Sequence, residues 1–187
     1  MGLFQTTVIQ KYTNAQDQIL LKEKWEAYKT YFHDPNVQEN IRNSKEEQYQ
    51  EGFLRDLFVK ILGYTLNPTN NFNLTTELKN VKDNKKADGA IVSRGHDPLD
   101  YKVIGVIELK GTNTTDLSKI EAQAFGYKNN QSGCTYVITS NFEKLRFYID
   151  NAIEHETFNL FELTEADFSL LYLCLAYENI KRDLPKK

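Results

Sequence analysis

Two cysteines, three histidines and four prolines in 187 residues are too few for several common architectures. Cys134 and Cys174 lack metal-ligand spacing and sit in apolar runs. They read as free core thiols of a reducing, cytoplasmic compartment rather than as a disulfide framework. His33, His96 and His155 are scattered among polar residues and read as surface or loop histidines, not as a ligand set. The scarcity of proline, with no repeat or low-complexity tract, argues against a disordered chain. Long hydrophobic runs are also missing. Leu170 to Ala176 is apolar but far too short to span a bilayer, and no signal peptide is present, so no membrane partner is expected. A basic excess is absent as well: net charge is −3, with pI about 5.7. No global positive field therefore advertises an affinity for polyanions.

What the chain does have is a core. Hydrophobic residues make up 40% and aromatics 12%, enough for one folded domain of this length. Ala15 to Phe32 reads as an amphipathic helix with Ile19, Leu20, Trp25, Tyr28 and Phe32 inward, broken at His33-Asp34-Pro35-Asn36. Ser44 to Leu62 reads as a stronger helix stopped by Gly63. Strands are expected over Phe72 to Leu78, Lys86 to Val92 and Tyr101 to Lys110, with a loop over Ser93 to Pro98. A helix over Asp116 to Tyr127 follows. Strands come next over Thr135 to Thr139, Leu145 to Ile149 and a short Asn159 to Leu163. Thr164 then caps a last helix from Glu165 to about Asn179. The pattern predicts an α/β fold: a mixed central sheet flanked by helices, with an amino-terminal helical extension (1–43) preceding the main body (44–187).

Chemistry concentrates at two strand ends. Val103 to Lys110 is almost continuously apolar, yet closes on Glu108-Leu109-Lys110. Strand side chains alternate, so Glu108 and Lys110 share a face. Charges at the end of a core strand carry a desolvation cost unless something charged meets them. Asp88, in Lys86-Ala87-Asp88-Gly89-Ala90, supplies a second carboxylate from a neighbouring strand. Two carboxylates suit Mg²⁺, which takes hard oxygen ligands and keeps several waters. The lysine beside them suits a water and a phosphate.

This set resembles the active site of the PD-(D/E)XK nuclease superfamily, in which a strand with Asp precedes a strand with Glu/Asp-x-Lys. The fold of that superfamily has the same central order of helix, three strands, helix, strand. The resemblance implies that Asp88 and Glu108 hold Mg²⁺, that the backbone carbonyl of Leu109 joins them, and that Lys110 is catalytic. It also implies a glutamate from the preceding helix, for which Glu46, Glu47 and Glu51 are candidates. Ser44-x-x-Glu47 forms a capping box that accounts for Glu47. Glu51 borders the stripe of Leu54, Leu57, Phe58 and Ile61, and is the expected one. Gln123 and Tyr127 resemble the Gln-x-x-x-Tyr element of the RecB-like branch and share a helix face. They imply contacts to the scissile phosphate and to DNA or the lysine, whereas by themselves they read as an edge Gln and a half-buried Tyr.

The likeness extends further. Gln48 to Phe58, Leu62-Gly63-Tyr64, Lys85 to Ile91, Val106 to Thr112 and Val137 to Arg146 resemble the amino-terminal nuclease domain of type IIG restriction–modification enzymes. That implies double-stranded DNA as substrate. It also implies methyltransferase and target-recognition domains of the same polypeptide as partners, although neither an Asn-Pro-Pro-Tyr-type motif nor a glycine-rich cofactor loop occurs here. Leu184-Pro185-Lys186-Lys187 reads as the start of a linker in a larger enzyme. The alternative function is a non-catalytic nucleic-acid-binding or scaffolding module, which has no chemical need for all of Asp88, Glu108 and Lys110. Lys79, Lys82, Lys85 and Lys86, with Glu77 and Asp83 among them, read as a solvated hairpin or a phosphate-contacting edge. Ser140-Asn141 reads as turn chemistry, and Tyr12 and Trp25 as packing residues.

Overall fold

Aspartate and proline punctuate the amino-terminal third. The computed structural model describes residues 2–80, 82, 84–95 and 100–187. Asp83 of the basic cluster, with His96, Asp97 and Pro98 of the expected loop, lies outside the described residues. Helix α1 (Thr6–Asn14), which carries no predicted pattern, comes first. The Asp17 carboxylate then accepts from the N–H groups of Ile19 and Leu20 at 3.0 and 3.1 Å and opens α2 (Gln18–Phe32). A cap of this kind satisfies donors that have no intrahelical partner. Leu21, Trp25, Tyr28 and Phe32 form its buried stripe, in i, i+4, i+7 order. Ile19 and Leu20, expected inward, are 85% and 38% exposed, because both lie outside that stripe. Asp34 repeats the cap on Asn36 and Val37, with Pro35 at the first helical position. The predicted break is therefore also the start of α3 (Pro35–Asn43).

The next helix begins two residues later than expected. Ser44 Oγ donates back to the Asn40 carbonyl at 2.8 Å and so belongs to the end of α3. The N–H of Lys45 donates to Gln48 Oε1 at 2.8 Å, opening α4 (Glu46–Phe53). Its continuation, Leu54–Val59, is π-helical: Lys60 N–H reaches the Arg55 carbonyl and Leu62 N–H the Leu57 carbonyl, both at 3.0 Å. Gly63, at φ 81°, ends the run as its sequence position predicts.

The sheet is mixed and six-stranded, in the order β1 (Leu74–Lys79), β2 (Lys86–Arg94), β3 (Tyr101–Leu109), β4 (Tyr136–Ser140), β5 (Lys144–Ile149) and β6 (Glu156–Asn159). Every neighbouring pair is antiparallel except β3 and β4, which are parallel because α5 (Ser118–Asn129) carries the chain across between them. The chain closes with α6 (Glu165–Leu175), capped by Thr164 as expected, and α7 (Tyr177–Ile180). The final strand lies earlier than the predicted Asn159 to Leu163. Leu184–Lys186 is a 3-10 turn with Pro185 buried.

Each face of the sheet has its own core. One face packs Ile91, Ile107, Ile138 and Phe147 against α2, α4, the π segment and α6, through Trp25, Phe53, Leu57 and Phe168. The amino-terminal helices thus join the main core. The other face packs Ala90, Val106, Val137 and Tyr148 under Ala124 and Tyr127 of α5. His33, at the end of α2, and His155, in the loop before β6, are half-buried, with rings 5.6 Å from Trp25 and 5.0 Å from Tyr148. Both cysteines are free and buried. Among the described residues no helix is long and apolar enough to cross a membrane.

Candidate active site

Register brings the two acids together. The β2–β3 ladder pairs Gly89 with Ile107 and Ala90 with Val106. One step further along it sets Asp88 opposite Glu108, and directly opposed residues of an antiparallel pair share a face. Asp88 Oδ2 accepts from the Leu109 N–H at 2.7 Å, which fixes the Asp88 carboxylate at the end of β3. Glu108 is 1% exposed. Its Oε1 takes a 2.6 Å hydrogen bond from Gln123 Nε2 and lies 3.4 Å from Lys110 Nζ. Its Oε2 is buried without a hydrogen-bond partner.

Lys110 stands just beyond β3 and sits between two glutamates. Its ammonium is 3.4 Å from Glu108 Oε1 and 3.4 Å from Glu46 Oε1. Glu46 is held further by the Gly111 N–H at 3.3 Å and by Gln50 Nε2 at 3.2 Å. Gln50 also faces Asp88 and favours its charged form. The helix acid at the site is therefore Glu46, not the expected Glu51. Glu51 is on the outer side, paired with Arg55 at 2.7 Å, and Glu47 is exposed. The reason is phase. Glu46, Gln50 and Phe53 form one stripe of α4, whereas Leu54, Phe58 and Ile61 are read through the π segment. A π turn holds an extra residue, so extrapolating backward from them at 3.6 residues per turn lands one position late. Gln50 escaped sequence reasoning. Its i+4 spacing from Glu46 was the available signal.

The electrostatics follow from burial of like charges. Desolvation, then the neighbouring Asp88, push Glu108 from 4.5 up to about 8, against the pull of Lys110. Burial raises Asp88 too, opposed by the Leu109 N–H and Lys110. For Lys110 desolvation acts downward, but Glu108, Glu46 and Asp88 outweigh it and raise the ammonium above 10.5. Gln123 Nε2 also donates to Tyr127 Oη at 3.1 Å, so the Gln-x-x-x-Tyr pair meets at the site through Gln123.

Other expected features take ordinary roles. Asn141 Oδ1 accepts from the Glu143 and Lys144 N–H groups at 3.2 and 2.7 Å, which is turn chemistry. Lys86 pairs with Glu77 at 2.9 Å on the surface. Among the described residues no three His, Cys, Asp or Glu side chains form a ligand cluster by themselves. Two carboxylates and a backbone carbonyl do not require one, since Mg²⁺ is commonly held by one or two carboxylates plus waters and substrate phosphates. The orphaned Glu108 Oε2 and the raised acids fit a cation between Asp88 and Glu108. No family model, curated protein or solved structure matches this chain.

Proposed function

We propose that this chain is a Mg²⁺-dependent endonuclease domain of the PD-(D/E)XK type, hydrolysing DNA phosphodiester bonds as part of a type IIG restriction–modification enzyme. The observation that carries the reading is the clamped lysine. Lys110 lies 3.4 Å from each of two glutamates at the end of a strand whose Glu108 opposes Asp88. A purely structural ion pair needs one carboxylate. Gathering three around one ammonium, with a carboxylate oxygen left unpaired, is costly unless a second cation is expected.

Asp88, Glu108 and the Leu109 carbonyl are the groups that would hold Mg²⁺. When bound, it supplies Lewis-acid stabilisation of charge on the phosphate and orients a water. The protein's own groups do the rest. Lys110 remains an ammonium at neutral pH, because its carboxylate neighbours raise it. It therefore acts as a positioned charge toward a phosphate oxygen rather than as the base, the kind of preorganised contact that stabilises a transition state. Glu46 and Gln50 keep that ammonium and Asp88 in place. Gln123 orients Glu108 and keeps its Oε1 satisfied. By resemblance, cleavage leaves a 5′-phosphate.

The test is calorimetric titration of Mg²⁺ or Mn²⁺ into the chain, alongside cleavage of supercoiled plasmid. Binding of one divalent site, lost in Asp88→Asn and Glu108→Gln, is the expected result. Binding that is unchanged in both variants removes the reading.

A further inference from the structure

A glycine in the middle of α5 has no packing reason to be there. Gly126 lies inside the helix Ser118–Asn129, where glycine is a poor helix former. A Cβ built on it would meet nothing within 4 Å, and no positive φ demands glycine. The open space is a cleft of about 630 Å³. Gln123, Gly126, Tyr127 and Asn130 of the α5 side line one wall, and Asn80 and Lys85 of the β1–β2 hairpin the other. At one end, Gln123 holds Glu108, so the cleft starts at the candidate catalytic carboxylates. At the other end, Asn130 also lines a second hollow with Lys79, Tyr101 and Lys102, where Asp100 is the one acid against two lysines. The Tyr101 ring is 42% exposed at that end.

We propose that this cleft is the track for one DNA strand leading away from the scissile phosphate, and that Gly126 is glycine so that the strand can lie against α5. The inference rests on the nuclease reading and assigns the substrate path within it. The chemistry of the lining fits that occupant. Lys85 on one wall and Lys79 and Lys102 at the far end supply charge for phosphates, the polar side chains of Asn80, Gln123 and Asn130 line the path between, and Tyr101 offers a stacking surface. This combination takes a strand without sequence preference. Lys85, Lys79 and Lys102 place positive charge along this path although the net charge of the chain is −3.

The glycine provides a test in which stability and binding move in opposite directions. Gly126→Ala should raise the melting temperature by about 2–4 °C, as expected for replacing a helix-interior glycine. Gly126→Leu should melt no earlier than the wild type. DNA binding is measured by anisotropy with a fluorescent duplex at low salt, with EDTA present so that nothing is cut. Gly126→Leu should weaken binding by about tenfold. Lys102→Ala should reduce the slope of log affinity against log salt by about 1. A well-folded Gly126→Leu that binds as the wild type does overturns the track, as does a wild type that binds no DNA at low salt. The nuclease reading fails separately. DNA bound through this cleft by a chain with no divalent-ion site would leave the track standing and remove the catalysis.

Discussion

Replacing Glu108 with Gln isolates the buried carboxyl at the centre of the site. The amide keeps the shape and can still accept from Gln123 Nε2, which donates at 2.6 Å in the wild type. It removes a group that burial and Asp88 push from 4.5 to about 8. The folded value lies above the unfolded one, so the folded chain binds the extra proton between those two pH values. The associated stability is complete below the unfolded value and is lost as pH climbs through the folded one. A displacement of that size corresponds to an upper limit on the order of 5 kcal/mol. For a chain of this length that limit is about 10–20 °C in melting temperature. Thermal melts of metal-free protein from pH 5 to 9 should show the wild type falling steadily toward pH 8. Glu108→Gln should fall much less and overtake it on the alkaline side. Mg²⁺ should restore the wild type at pH 8 and leave the variant unmoved, because cation binding requires the deprotonated carboxylate. Parallel melting curves for the two proteins in EDTA would show that Glu108 is not the strained carboxyl described here.

Three further outcomes follow from the geometry. Lys110→Ala should cut plasmid at least about 100-fold more slowly than the wild type. It should also melt earlier above pH 8, where Glu108 and Glu46 lose their shared partner; normal cleavage by a folded variant would discard the catalytic role. Glu46→Gln should slow cleavage about tenfold or more, a loss of about 1.4 kcal/mol in the barrier. Glu51→Ala should alter neither rate nor stability by more than about 0.5 kcal/mol, since an exposed i, i+4 pair contributes little; the reverse order of effects would restore Glu51. Finally, Gln123→Ala should shift the pH–rate profile toward alkali, because losing a donor to the charged form raises a carboxyl's pKa; an unshifted profile with a uniformly lower rate would make Gln123 a substrate contact alone.

Much of this was legible in the sequence, where local chemistry decides. Glu108 and Lys110 share a face because strand periodicity leaves no choice, and Thr164 and Gly63 punctuate helices through residue-specific backbone chemistry. The misreadings came from non-local or irregular features. Ser44 looks like a cap to the helix after it, but its hydroxyl ends the helix before it. Glu51 was favoured by an apolar stripe that crosses a π segment, which no 3.6-residue count can follow. α1 has no buried residue and packs by partly buried side chains, so it leaves no stripe to read. The pairing of Gln50 with Glu46 and Asp88 depends on how α4 approaches the sheet, a tertiary fact.

The π segment also sets how the site responds to a change in chain length. Residues before Leu54 present Glu46 and Gln50 to Lys110, while Leu57 and Phe58 are anchored in the core. Each helical residue advances the chain by about 100° around the axis. The wide turn therefore takes up one extra residue without turning the working half away from the anchored half. Deleting one residue from Leu54–Val59 would let a regular α-helix form in its place. The Glu46–Gln50 face would keep its direction toward the lysine it holds, whereas a second deletion would swing it by about 100°.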